Sequence, residues 1–474
     1  MSTTGAPGGP VTVVLGRHVL TMGPDGDLPD GAVAIRAGRI LEVGPAGEVR
    51  RRHPGAEVVG DGWGVVLPGF VNAHTHLSEA LIPGMGEDQT LFEWLARIIG
   101  PAEPHLTREM ARVGAMLKGA ELLLSGVTCV NDMFCHGNTG SLASLGSVDG
   151  LDEIGLRGIV SFGAEDLGID AGGGDGSRRP VGTLLAEHRA LAARCAETGR
   201  IGFRLGIGTL LGQSDELLAA SVQAATEHGW GVHTHLAEVR EELVQARLRW
   251  GRSSVERAVD AGLFGVPVLA AHCVWVADGG LDLLAANGAA AAHNPVANMI
   301  LASGVCPVPE LRRAGMPVGI GTDGSASNDS QNMLEALKVA ALLQKVTRLD
   351  ARALTARDVL TMATIEGARA LGLDDRIGSL EPGKLADVVH LGGGRPGLAN
   401  IHDPYQQIVF CASPVDVADV WVGGERRVAA GRLTGHDLGA LVAASRPLAE
   451  ELIARAGLST HSVLLRDRPV PAEA

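Results

Sequence analysis

Apolar and polar residues follow two textures along this chain. Between residues 66 and 323, short apolar runs of strand length recur near 66–76, 127–132, 156–163, 201–208, 230–236, 266–272, 288–293 and 317–323. Most are separated by longer stretches with apolar residues at helical spacing, such as Arg108–Ser125, Leu185–Thr198, Ser214–His228 and Asn332–Lys345. A run apolar on both faces suits a parallel strand covered by helices, so eight such units predict a (β/α)8 barrel. The two ends of the chain read differently. Val11–Leu15, Ala32–Arg36 and Arg39–Val43 are short strand patterns broken by Gly, Pro and Asp, and the texture returns in Ala386–Leu391, Gln407–Phe410, Asp419–Gly424 and Arg426–Ala429.

The expected fold class is therefore α/β, a TIM-like barrel with a small β-sandwich assembled from both termini. Its expected limits are 1–65 and 376–432 for the sandwich, 66–375 for the barrel and 433–474 for a helical tail. The tail holds one Ala/Leu-rich helical stretch, Leu438–Ala456, and a frayed end at Pro469–Ala474. Gly172–Pro180 reads as a surface loop, because no strand–glycine–helix fingerprint surrounds it.

Composition narrows the class. Over 474 residues, 46% are hydrophobic and 20% charged, enough apolar material for a large core and too much for disorder. The formal net charge of −14 leaves no basic excess to neutralise phosphates, which argues against a nucleic-acid binder. No apolar run has membrane-spanning length, and Met1–Pro10 lacks a secretory pattern, so no membrane association and a cytoplasmic location are expected. The six cysteines form no Cys-x-x-Cys pair, which suits a reducing compartment. Cys273 follows His272 on a strand and so points to the opposite face, toward the core.

Candidate chemistry lies at the C-terminal ends of the predicted strands, which share one mouth in a parallel barrel. His74 and His76 are two residues apart and project from one face of a strand, as a pincer. His235 in Trp230-Gly-Val-His233-Thr-His235-Leu-Ala-Glu238, His272 in Val268–Cys273 and Asp323 in Val318–Ser325 end three further strands. His74, His76, His235 and Asp323 offer nitrogen and oxygen donors suited to a catalytic zinc ion. His233 faces the same way as His235; the latter is preferred because it lies nearer the strand's end and keeps a His-x-x-Glu relation to Glu238. Glu238 reads as the proton carrier and His272 as the group orienting the attacking water.

Pro68–His76, His235–Glu238, His272-Cys-Val-Trp275, His293-Asn-Pro-Val-Ala-Asn298 and Gly321–Asn328 together resemble the amidohydrolase superfamily, in register from about residue 10 to residue 432. Within it they are similar to the S-adenosylhomocysteine/methylthioadenosine deaminase and triazine hydrolase branch. The resemblance implies a distorted barrel with a β-sandwich, one zinc (or iron) ion, and hydrolytic loss of ammonia from an amino-substituted heterocycle. It implies metal ligation by His74, His76, His235 and Asp323, and catalysis by Glu238, His272 and Asp323. Trp94 and Glu103 stand where the branch places substrate contacts, with helix packing and a surface charge as their plain alternatives. Phe162 replaces an arginine of the branch and Thr209-Leu210-Leu211 a histidine, with Leu210 taken as the substrate-facing residue, while His293 is expected near the substrate, behind the ligands or as a plain hydrogen-bonded histidine. These losses point to a substrate smaller or more apolar than S-adenosylhomocysteine. Alternative readings are a triazine-type hydrolase displacing chloride or alkylamine, and a barrel without catalysis. The resemblance also leans toward a homodimer or homotetramer.

Overall fold

A computed structural model of the chain describes residues 9–137, 140–167, 179–276 and 279–459. The N-terminal part contributes β1 (Thr12–Val19), β2 (Leu28–Arg36), β3 (Arg39–Pro45), β4 (Glu57–Val59) and β5 (Val65–Pro68). The middle contributes β6 (Phe70–Thr75), β7 (Val127–Phe134), β8 (Arg157–Ala164), β9 (Ile201–Phe203), β10 (Leu205–Ile207), β11 (Val232–Leu236), β12 (Val268–His272), β13 (Ala290–His293) and β14 (Val318–Ile320). The C-terminal part adds β15 (Val388–Leu391), β16 (Val417–Val422), β17 (Glu425–Ala429) and β18 (Arg432–Leu433).

β6 to β14 pair in parallel and close into a barrel, with β14 joining β6 and β10 joining β8. β9 and β10 together form the fourth stave, so eight positions surround the axis. Every residue of β7 and β8 is buried, as expected of parallel strands covered outside and packed inside. The second sheet runs β18–β17–β16–β15–β5–β1–β2–β3, with β4 beside β1, so the two termini build one small β-sandwich around Val14, Val33, Ile40, Val66, Val388 and Trp421.

Two expectations change. The apolar run at 66–76 is not one strand: β5 joins the sandwich and β6 starts the barrel, with Gly69 between them. Gly69 donates its N–H to Asp387 O at 3.0 Å, and a Cβ there would lie 2.0 Å from Thr128 Oγ1. Gln407–Phe410, expected as a strand, lies in the helix Pro404–Cys411. Asp403 caps that helix by accepting the Tyr405 and Gln406 N–H groups, and Pro404 occupies its first turn, where the missing N–H costs nothing.

The tail helix Leu438–Ala456 forms as expected, capped by Asp437. Its Leu452 packs into a cluster with Leu81, Trp94, Ile98, Ile99 and Leu106, so this helix backs a wall of the site described below. Of the expected loop at 172–180, residues 172–178 lie outside the described residues, as does the end at 469–474. Among the described residues, no helix is long and apolar enough to cross a membrane. The cysteines are free, and Cys273 is fully buried in the core.

Candidate active site

The C-terminal ends of β6, β11, β12 and β14 bring His74, His76, His235, His272 and Asp323 together. His74 Nε2 and His76 Nε2 lie 3.3 and 3.4 Å from Asp323 Oδ1, and His76 Nε2 lies 3.0 Å from His235 Nε2. The sets His74–His76–His235 and His74–His272–Asp323 each present ligand atoms close enough to share one ion.

The protein fixes which nitrogen of each ring is free. His76 Nδ1 donates to Met133 O and His235 Nδ1 to Gly208 O, both at 2.7 Å, so their Nε2 lone pairs must face each other. His74 Nδ1 pairs with His233 Nε2 at 2.8 Å, while His74 Nε2 is buried without a hydrogen-bond partner. Converging lone pairs repel one another, and a shared cation reverses that repulsion; the donor set therefore fits a metal, with backbone carbonyls orienting the rings from behind. Burial holds the imidazoles neutral, His74 at about 4 and His235 well below its ordinary value. Burial alone would raise the Asp323 carboxyl, but His74 and His272 together keep it well below the usual carboxylate range.

His233 is engaged elsewhere. Besides His74 it contacts Asn131 Nδ2 at 3.1 Å and Ser161 Oγ at 3.2 Å through Nδ1.

Glu238 and His272 flank the cluster. His272 Nδ1 donates to Asn298 Oδ1 at 2.8 Å, which turns Nε2 toward Glu238 and Asp323, each at 3.6 Å. Burial, opposed by His272, lifts the Glu238 carboxyl to about 7, where it can both take and give a proton near neutrality. Glu242 shapes the turn by accepting the Ala237 and Glu238 N–H groups at 3.0 and 2.9 Å. Ala237, His272, Cys273 and Asp323 all have φ between 48° and 74°, a left-handed conformation that non-glycine residues adopt at a cost. The site is thus held by its surroundings in a geometry the local chain would not choose.

His76, His235, Glu238, His272 and Asp323 floor a cavity of about 470 Å³. Ile82, Leu91, Phe92, Leu95 and Ile99 form an apolar wall with Trp94, whose Nε1 donates to Ala326 O at 2.9 Å. Glu103 lines the cavity, as do His136, Glu165, Arg179 and Thr209. Phe162, Leu210 and His293 do not reach it. Phe162 packs at 5.0 Å between ring centroids against His136, Leu210 belongs to the main core, and His293 is fully buried with both ring nitrogens unpartnered. Their neighbours Gly163 and Thr209 line the cavity instead.

Residues 65–427 match the amidohydrolase family model, and residues 31–56 match the bacterial imidazolonepropionase-like composite domain. The chain belongs to the amidohydrolase family. It is 39% identical over 415 residues to a 5-methylthioadenosine/S-adenosylhomocysteine deaminase of Pelotomaculum thermopropionicum, covering 87% of this chain and 92% of that one. It is 36% identical to a 5'-deoxyadenosine deaminase of Methanosarcina mazei over 94% of this chain and 98% of that protein. A crystal structure of an adenosine deaminase from Xanthomonas campestris with bound zinc superposes with a TM-score of 0.85 at 30% identity, covering 94% and 98% of the two chains. In this amidohydrolase, sequence reasoning missed Glu165, Arg179 and His136 as cavity residues and Glu242 and Asn298 as supports. Glu242 stands in the acidic run after Glu238 and Asn298 in the His293–Asn298 motif, both conspicuous before the fold was considered.

Proposed function

We propose that this amidohydrolase is a zinc-dependent hydrolytic deaminase of adenosine-type substrates. The observation that carries the reading is the convergence of His74, His76, His235 and Asp323, with Glu238 and His272 at the edge facing the cavity. In this reading those four residues hold the ion, and zinc there supplies the Lewis acidity that lets water attack at neutral pH. Glu238 takes one proton from the water and passes it to the ring nitrogen beside the reacting carbon. A second transfer moves the remaining water proton to the amine, so oxygen stays on the ring and ammonia departs. His272, fixed by Asn298, presents Nε2 to the water. Trp94 walls the base and Glu103 reaches the sugar. The reading also takes the chain as a cytoplasmic homodimer or homotetramer, with domain limits near residues 65, 375 and 432.

Ammonia release from 5'-deoxyadenosine and 5-methylthioadenosine, measured beside chloride release from a chlorotriazine, tests the reading. Retention of both Glu238 and Asp323 favours the amine, which must be protonated to leave whereas chloride need not be. Chloride release alone would establish the triazine-type alternative. Less than about half an equivalent of transition metal in protein purified without added metal would support a barrel without catalysis.

A further inference from the structure

We infer that the side of the cavity formed after the second, third and fourth staves selects substrates whose tail carries a cation, and that Glu165 is the residue that sets this choice. The inference rests on the deaminase reading above. His136, Glu165 and Thr209 follow β7, β8 and β10, the second, third and fourth staves, whereas the histidine cluster rises from the first, fifth, sixth and eighth. The two groups therefore occupy different sides of one mouth.

The groups on this side are predominantly acceptors. Glu165 lines the cavity, its Oε1 accepting the Thr209 N–H at 2.6 Å and its carboxyl also bonding the Thr209 side chain. The loop is built around that carboxylate: a Cβ at Gly208 would lie 2.4 Å from Glu165 Oε1, and one at Gly212 would lie 2.2 Å from its carboxyl carbon. His136 Nε2 donates at 2.7 Å to Glu187 Oε1, which also accepts from Ser144 at 2.6 Å. That leaves Nδ1 as the ring's other nitrogen, a buried atom without a hydrogen-bond partner.

Charge points the same way. Among the described residues, Glu103 and Glu165 line the cavity together with Arg179, whose Nη1 also donates to His136 O at 3.3 Å. Burial pushes both carboxyls up, Glu165 to about 8 with Glu103 adding to the effect, so near pH 7 the empty site retains a proton that an entering cation displaces. A carboxylate tail displaces no proton and must compete with Glu103 and Glu165 for Arg179, which is discrimination against the wrong tail.

Three adenosines differing only at the 5′ carbon test this: 5′-amino-5′-deoxyadenosine, 5′-deoxyadenosine and adenosine-5′-carboxylate. Binding is measured by calorimetry near pH 7 on zinc-loaded Glu238→Gln protein, which holds substrate without turning it over. The amine is expected to bind at least about tenfold more tightly than the carboxylate, the scale of one close charge pair. Glu165→Gln, which keeps an oxygen for the Thr209 N–H, should bring that ratio below about threefold; Glu103→Gln serves if it fails to fold. A carboxylate that binds as well as the amine, a ratio unchanged by either substitution, or no binding by any of the three overturns the inference. Deamination of 5′-deoxyadenosine by the unsubstituted protein is scored separately. If it proceeds without tail discrimination, only this inference fails; if tail discrimination holds without deamination, the deaminase reading fails.

Discussion

At the scale of single residues, Glu238 and the two histidines of β11 divide the labour most sharply. Glu238 sits 3.6 Å from His272 Nε2, beyond hydrogen-bond distance, so the proposed mechanism gives it proton transfer and not metal retention. Glu238→Gln is therefore expected to keep its metal while turnover falls by at least about a hundredfold, the scale of lost general acid–base catalysis. Metal analysis and ammonia release on the same sample check both halves, and wild-type turnover would remove Glu238 from the chemistry. His235 presents a free Nε2 to the cluster, whereas His233 spends its nitrogens on His74, Asn131 and Ser161. Accordingly His235→Ala should lose more metal than His233→Ala. The reverse order would transfer the ligand role to His233.

At the scale of elements, Gly69 separates two strands that belong to different sheets. Its N–H reaches back to Asp387 of the sandwich while Phe70 N–H already pairs with Gly126 O at the barrel's entrance. Because Thr128 occupies the space of a Cβ, Gly69→Ala should destabilise the fold by about 1–3 kcal/mol, the usual cost of overpacking. Urea unfolding of Gly69→Ala, alone and with Thr128→Gly, measures this; a double variant no more stable than the single one would place the strain elsewhere. The same boundary shows what the apolar pattern conveys. It marks 65–76 as buried and extended, yet both sheets bury extended chain alike, so the change of sheet at Gly69 leaves little periodic trace. Barrel strands were legible because burial on both faces produces long apolar runs, and His74, His76, His235, His272 and Asp323 were legible because strand ends share one mouth. Gln407–Phe410 was misread because four apolar residues suit either a strand or a buried helix turn, and Asp403-Pro404 was the deciding signal. The cavity wall was off by one at two positions. Since side chains alternate across a strand and its extension, Gly163 and Thr209 face inward where Phe162 and Leu210 face the core. Read at the strand end, as Asp323 was, Glu165 would have been found.

At the scale of the whole molecule, the sandwich and barrel must stay joined for β6 to enter at the right depth. Arg157 of β8 makes a buried two-pronged pair with Asp387 at 2.8 and 3.0 Å, tying the barrel to the segment that leads into β15. On the sandwich side of β15, His390 Nδ1 pairs with Asp419 Oδ2 at 2.9 Å, and Asp61 of the N-terminal part lies 3.9 Å from its other nitrogen. Burial would lower the pKa of His390, but Asp419 and Asp61 outweigh it and hold the ring above the ordinary 6.5. The folded chain therefore binds this proton more tightly than the unfolded chain does. The resulting stabilisation is complete below the unfolded value near 6.5 and is lost as pH rises through the higher folded value. Asp419 behaves as the mirror image: burial opposes ionisation, His390 and Arg426 prevail, and its contribution fades only as pH falls below the ordinary carboxylate range. His390→Gln keeps Asp419 paired with Arg426 and the Ala430 N–H, so the variant is expected to fold. Thermal midpoints of the zinc-saturated wild type and variant, taken at half-unit steps from about pH 5.5 to 8.5, should differ most at the acid end and converge toward the alkaline end. Subtracting one curve from the other removes titrations common to both proteins, including those at the metal cluster. A gap that stays constant or widens with pH would show that His390 is held neutral in the folded chain, and that the join between the termini draws nothing from its charge.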